Sequence, residues 1–124
     1  MKKILLLLLL ICLTVHANVE FLNNNNFNNK ISKGIVVVEY WAEWNNTNKF
    51  KELKDLKDCT VYRACISSCS NAASKYKIKA IPTVIIYDNG EEVARFSPNI
   101  MLQLEATGKD VQSAIDEIVL NKFQ

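Results

Sequence analysis

The chain has little histidine, little glycine and almost no excess of charge of either sign. Among its 124 residues there are one histidine and three glycines, and the formal net charge is +2. The histidine, His16, lies in an N-terminal stretch that we predict is removed, which excludes serine–histidine and cysteine–histidine catalysis from the mature chain. A zinc site is disfavoured because three cysteines would then remain without a histidine. No glycine-rich phosphate loop is present, so we predict neither a metal nor a cofactor.

The N-terminus has the order of charges and apolar residues that is typical of a secretory signal peptide. Two lysines precede an apolar run, Ile4–Leu13, that is too short for a comfortable transmembrane helix. Val15 and Ala17 supply the residues at positions −3 and −1 of a cleavage site. We therefore predict a signal peptide over residues 1–17.

Cleavage after this segment would leave a mature domain over residues 18–124 with balanced charge. Removing two lysines reduces 15 basic residues to 13, against 13 acidic residues. No basic patch remains to attract nucleic acid, and we predict no nucleic-acid partner. We expect an exported protein, in a periplasm, an endoplasmic reticulum lumen or the extracellular space, without membrane attachment after cleavage.

The stretch from residue 35 to residue 56 organises the domain. The β-branched run Ile35–Val38 predicts a strand that is buried on both faces. After it, Phe50, Leu53 and Leu56 recur at helical spacing and predict a helix. Asn and Thr are good helix N-caps, so we interpret Asn45–Asn48 as the start of this helix.

The remaining elements alternate in type along the chain. In order, the patterns predict a strand at Val19–Leu22, a helix at Phe27–Lys33, a strand at Thr60–Ala64, a helix from Ser67 or Ser68 to Tyr76, a hairpin of Thr83–Tyr87 and Glu91–Phe96, and a last helix. A capping box at Thr107–Asp110 opens the last helix. Its inner face is predicted to contain Val111, Ala114, Ile115, Ile118 and Val119.

Two motifs, Trp41-Ala42-Glu43-Trp44 and Ile81-Pro82-Thr83, resemble those of the thioredoxin family. The family pattern continues from W-A-x-W into C-x-x-C, where this chain has Asn45 and Asn48. The resemblance covers residues 19–123 and implies an α/β thioredoxin fold, a central mixed β-sheet flanked by helices. It also implies a cis Ile81–Pro82 bond and a substrate groove formed by Trp41, Trp44, Ile81 and Pro82.

The resemblance places Glu39 on the buried acid that assists proton transfer at the family's thiols. Burial should raise the pKa of this carboxyl. Without the cysteine pair, we interpret Glu39 as buried and functionally idle. The alternatives are a carboxyl that points to the sheet edge or to a buried water.

Three cysteines in an exported chain leave one unpaired. Cys59 and Cys65 bracket a strand of about 20 Å, which is too long for a bond, whereas Cys65 and Cys69 flank a turn that can bring their Cα atoms within about 6 Å. We predict a Cys65–Cys69 disulfide, more as a structural staple than as a relocated redox pair. Cys59 would be free or paired between chains.

Asn45-Asn46-Thr47 is also a glycosylation sequon for a eukaryotic secretory pathway.

An extra segment, residues 97–106, lies between the last strand and the C-terminal helix and departs from the family pattern. Ile100, Leu102 and Leu104 alternate in it, which predicts a short strand or an extended arm. We expect this apolar face to pack on the domain itself, with a partner or another copy as the alternative.

Three functions are compatible with these observations. The favoured one is a redox-inactive module that binds a protein or peptide. The second is a structural or assembly protein that uses the fold as a scaffold, and the third is a weak thiol-disulfide oxidoreductase using Cys65 and Cys69. The partner and the oligomeric state are left open.

Overall fold

The computed structural model describes residues 18–124, so the predicted signal peptide at residues 1–17 lies outside the described part and stays a prediction. Five strands form one mixed sheet in the order β1-β3-β2-β4-β5. Their bounds are β1 Glu20–Leu22, β2 Ile35–Trp41, β3 Thr60–Cys65, β4 Thr83–Asp88 and β5 Glu91–Phe96. Strands β1, β3 and β2 are parallel, while β4 runs antiparallel to both β2 and β5.

Helices cover both faces of this sheet, as a thioredoxin fold requires. They are the α-helices α1 Phe27–Ile31, α2 Ser70–Lys75 and α3 Gly108–Asn121, and the 3-10 helices Glu43–Asn48 and Lys51–Asp55. No helix between residues 18 and 124 is long and apolar enough to cross a membrane. The alternation of side chains along β2 sends Val36 and Val38 to one face and Val37 to the other.

Two buried clusters result from this alternation. We call the first the Phe27 core; it includes Phe27, Ile31, Val36, Val38, Tyr40, Ala72 and Tyr87. We call the second the Leu53 core; it includes Val37, Phe50, Leu53, Val84, Ile86, Val111 and Ile115. The central strand is therefore buried on both faces, as its β-branched run predicts.

Helix α3 begins at the predicted capping box. The Oγ1 atom of Thr107 accepts a hydrogen bond from Asp110 N at 3.2 Å, and Thr107 N donates to Asp110 Oδ2 at 2.8 Å. Val111 and Ile115 are fully buried, and the other three predicted inner residues are partly buried against the same Leu53 core. The predicted helix and its inner face are confirmed.

The prediction of one α-helix after the central strand was wrong. The chain forms two 3-10 helices there, separated by extended backbone at Lys49 (ψ 149°) and Phe50 (ψ 99°). Phe50 N donates to the side chain of Glu39 at 2.7 Å instead of to a carbonyl in a preceding helical turn. Phe50 and Leu53 are nevertheless buried and Leu56 packs against them, so the spacing predicted the inner face correctly but not the type of helix.

The segment at residues 97–106, which we call the inserted loop, is a tight turn and not the predicted strand or extended arm. An isolated bridge pairs Pro98 with Leu104. Between them, the Asn99 side chain accepts hydrogen bonds from the backbone N–H groups of Met101 and Gln103 at 2.9 and 3.0 Å. This Asn turn overrides the apolar alternation, because it closes the backbone locally. Leu104 packs against the Leu53 core, whereas Ile100 is 98% exposed, so the expected self-packing holds for only part of the apolar face.

Candidate functional site

The end of β2 and the start of β4 bring the two sequence motifs together. These strands are antiparallel, and Tyr40 pairs with Thr83. The residues that follow β2 therefore lie beside the residues that precede β4. The Ile81–Pro82 bond is cis, as the resemblance implied.

Asn45 links three segments of the chain at this point. It is buried, and its Nδ2 donates to the carbonyl oxygens of Ile81 at 3.2 Å and Leu102 at 3.0 Å. Its Oδ1 accepts a hydrogen bond from Asn48 Nδ2 at 2.8 Å. The interpretation of Asn45 as a helix cap was wrong, because Ala42 occupies the cap position and no side chain caps this 3-10 helix. Asn45 instead ties the inserted loop to the cis-proline loop.

We expect Asn45→Ala to lower the free energy of unfolding by about 1–3 kcal/mol, because two partly or fully buried carbonyls lose their donor. Asn46→Ala is the matched control, since Asn46 is exposed and its side chain makes no hydrogen bond to residues 18–124. That change should cost less than about 0.5 kcal/mol. Urea denaturation measures both, and equal midpoints would mean that the Asn45 bridge does not hold the inserted loop.

A surface pocket of about 400 Å³ opens beside this bridge, and we call it the Trp44 groove. Its apolar walls come from Trp44, Ile66, Ile78, Ile81 and Leu102. Trp44 is 69% exposed, so one wall is a large apolar side chain in contact with solvent. This exposure is unusual for an indole and marks a candidate binding surface.

The structure brings together only part of the predicted groove. Trp44 and Ile81 line it, whereas Pro82 is buried and lies outside its lining. Trp41 packs edge-on against Phe21 at the end of β2, with ring centroids 5.5 Å apart. Sequence reasoning missed the other three walls, which come from the turn after β3, from the segment before the cis-proline and from the inserted loop.

Glu39 is fully buried within the sheet, as predicted, and does not point to the sheet edge. Its Oε1 accepts a hydrogen bond from Arg63 Nε at 2.8 Å and its Oε2 accepts one from Phe50 N at 2.7 Å. Arg63 Nη2 also donates to Phe50 O at 2.9 Å. Burial raises the pKa of Glu39 above the ordinary range, and the bonds from Phe50 and Arg63 oppose that shift. The carboxyl thus joins β2 and β3 to the second 3-10 helix.

The three cysteines of the described chain are free thiols, so the predicted Cys65–Cys69 disulfide is not formed in the structure. The two residues are close along the backbone, since Cys69 N donates to Cys65 O at 2.9 Å, but their thiols have different surroundings. The Cys69 side chain is buried in the Phe27 core, whereas Cys65 Sγ lies 3.2 Å from Ser67 Oγ.

The thiols also differ in reactivity. Burial raises the pKa of Cys59 to about 11, and burial together with the neighbouring Cys65 raises the pKa of Cys69 to about 11. Partial burial opposes ionisation of Cys65, but hydrogen bonds from Ser67 and Ser68 lower its pKa overall. Cys65 therefore lacks a similarly activated partner. The described residues also offer no cluster of three metal-ligating side chains.

Comparisons with known proteins agree with this geometry. A thioredoxin family profile matches residues 18–107. Thioredoxin of Chlamydia pneumoniae is 32% identical over 83 residues, which cover 62% of this chain and 81% of the relative. Thioredoxin of Chlamydia trachomatis serovar D is 29% identical with the same coverage.

A solved structure supports the fold independently. The crystal structure of Malassezia sympodialis thioredoxin superimposes with a TM-score of 0.63 at 20% identity, and the match covers 84% of this chain and 96% of that chain. That identity bears on the fold alone. The mixed five-stranded sheet and the cis Ile81–Pro82 loop agree with that fold, and the profile match over residues 18–107 shows that this chain belongs to the thioredoxin family.

Proposed function

We propose that this protein is a non-catalytic thioredoxin-fold module that binds a protein or peptide in the Trp44 groove. The single observation that carries the proposal is the exposed Trp44 on an apolar pocket that Ile81 also lines. A large aromatic side chain held at the rim of a preformed apolar pocket is a common anchor of peptide recognition. The partner we expect is an extended segment with an apolar side chain.

The inserted loop enlarges this surface. Leu102 forms part of the groove, and the neighbouring Ile100 and Met101 are 98% and 69% exposed. Exposed apolar side chains next to a pocket favour a contact with another molecule over a purely solvated loop. The scaffold alternative uses the same loop and differs in its partner, which would then be a component of an assembly.

The absence of redox chemistry is part of the proposal. Asn45 and Asn48 stand at the positions of the C-x-x-C pair in the resemblance, and an amide cannot exchange with a disulfide. The oxidoreductase alternative needs Cys65 and Cys69 to react together, and the full burial of Cys69, which raises its pKa to about 11, weighs against it.

Titration with short labelled peptides that carry a valine-leucine-valine core tests the proposal. Binding should saturate, and Trp44→Ala should weaken it at least about tenfold, because a central tryptophan commonly dominates such interfaces. Phe123→Ala is the matched control, since Phe123 is an aromatic residue near the C-terminus that is even more exposed than Trp44 and lines neither this groove nor its neighbours. The proposal fails if no peptide binds, or if both variants bind as the natural chain does.

A further inference from the structure

A second pocket continues the Trp44 groove and has a different character. It has a volume of about 600 Å³, and we call it the lysine pocket because Lys75, Lys77 and Lys79 line it, together with Arg95 and one carboxylate, Glu92. Lys79 and Ala80 belong to both pockets. An extended ligand that places a side chain in the Trp44 groove can therefore run directly into the lysine pocket.

The only carboxylate of the lysine pocket is already neutralised. Arg95 Nε and Nη2 donate to the two oxygens of Glu92 at 2.9 and 2.7 Å. Arg95 Nη2 also donates to the carbonyl oxygen of Tyr76 at 2.6 Å, so its guanidinium is engaged within the protein. This ion pair leaves the three lysines as the charge that faces a ligand.

These lysines have no internal counter-charge. No carboxylate of the described chain lies within 4.0 Å of any of the three ammonium groups. Lys77 and Lys79 flank Ile78, whose side chain lines the Trp44 groove. Glu105 of the inserted loop and Glu43 of the first 3-10 helix line neither pocket. The positive field at this end of the groove is therefore uncompensated.

We infer that the lysine pocket selects peptides that carry carboxylates beside the apolar residue bound in the Trp44 groove. This inference rests on the proposed function and names its partner class. Ammonium groups on flexible stems act as point charges and suit dispersed aspartate or glutamate side chains. A bidentate oxyanion such as phosphate is matched better by a free guanidinium, and here Arg95 is occupied by Glu92.

The test compares three peptides with the same valine-leucine-valine core and flanks of three glutamates, three glutamines or three lysines. At low salt, the glutamate peptide should bind about tenfold more tightly than the glutamine peptide, and the lysine peptide should bind most weakly. The preference should shrink as ionic strength rises, because exposed charges are screened. Lys75→Gln/Lys77→Gln, which leaves Lys79 of the Trp44 groove unchanged, should remove most of the preference without abolishing binding of the glutamine peptide.

Lys51→Gln/Lys54→Gln is the matched control, because it removes the same net charge from an exposed segment outside both pockets. Its preference should equal that of the natural chain. Equal binding of the glutamate and glutamine peptides to the natural chain would overturn the inference while leaving the proposed function intact. A glutamate preference that survives the lysine-pocket variant, or falls equally in the control, would also overturn it. Failure of all three peptides to bind would instead contradict the proposed function.

Discussion

The Asn45→Cys/Asn48→Cys variant is expected to form an internal disulfide and to reduce insulin in the presence of a dithiol, whereas the natural chain stays at the uncatalysed background. The two asparagine side chains already touch, with Asn48 Nδ2 only 2.8 Å from Asn45 Oδ1. Cysteines at these positions would therefore lie within reach of a disulfide. Asn45 also faces the Ile81 carbonyl beside the cis-proline loop. We expect turnover at least about tenfold above the natural chain, a difference of about 1.4 kcal/mol in barrier height.

A single-thiol variant provides the control. Asn45→Cys/Asn48→Ser has the first new thiol but cannot close the internal disulfide, so its turnover should remain at background. Cys59, Cys65 and Cys69 are present in every variant and report on any activity of their own. Robust turnover by the natural chain would contradict the proposal that it is redox-inactive. A double variant without disulfide or activity would show that Asn45 and Asn48 do not have the geometry of a redox pair.

Arg63→Met is expected to lower the free energy of unfolding by about 3–5 kcal/mol, because it leaves the Glu39 carboxylate buried without its counter-ion. Glu39 is fully buried and Arg63 is its only salt-bridge partner within the described chain. The double variant Glu39→Gln/Arg63→Met should recover most of the loss, since an amide oxygen still accepts from Phe50 N and no charge remains buried. Arg95→Met is the control, because its pair with Glu92 is more exposed and should contribute at most about 1 kcal/mol.

The same variant has a defined pH dependence. Burial already raises the folded-state pKa of Glu39 above its unfolded value, and removing Arg63 removes an opposing influence. The folded variant therefore binds the proton more tightly than the unfolded chain, and its stability falls as pH rises through the folded pKa. Lowering the pH from about 8 to about 5 should recover part of the lost stability relative to the natural chain. Denaturation midpoints across this range measure the effect, and a small loss with no pH dependence would contradict a charged, paired Glu39.

The elements that follow from local patterns were predicted well from the sequence. The central strand follows from its β-branched run, and α3 follows from its capping box. Burial of Glu39 was also predicted, because it lies within a strand that is apolar on both faces. Its partner Arg63 was missed, since only the parallel register of β2 and β3 places the two residues side by side.

Two of the errors involve contacts between distant parts of the chain, whereas the inserted loop is closed by the local Asn99 turn. Glu39 accepts the Phe50 N–H, and the predicted α-helix is replaced by two 3-10 helices. The partners of Asn45 lie 36 and 57 residues further along, so its linking role had no local signal. The predicted disulfide partners are neighbours in a turn, but the Cys69 side chain packs into the Phe27 core while Cys65 Sγ lies beside Ser67 Oγ.

Residue-by-residue mapping of peptide binding tests the central claim most directly. The natural chain, labelled with ¹⁵N, is titrated with the valine-leucine-valine peptide while its backbone amide and Trp44 indole resonances are followed by NMR. We predict saturable shifts at Trp44, Ile78, Ile81 and Leu102, with little change at Phe123, and no oxidation or reduction of any cysteine during the titration. Absence of saturable shifts, or shifts centred away from the Trp44 groove, would contradict the account.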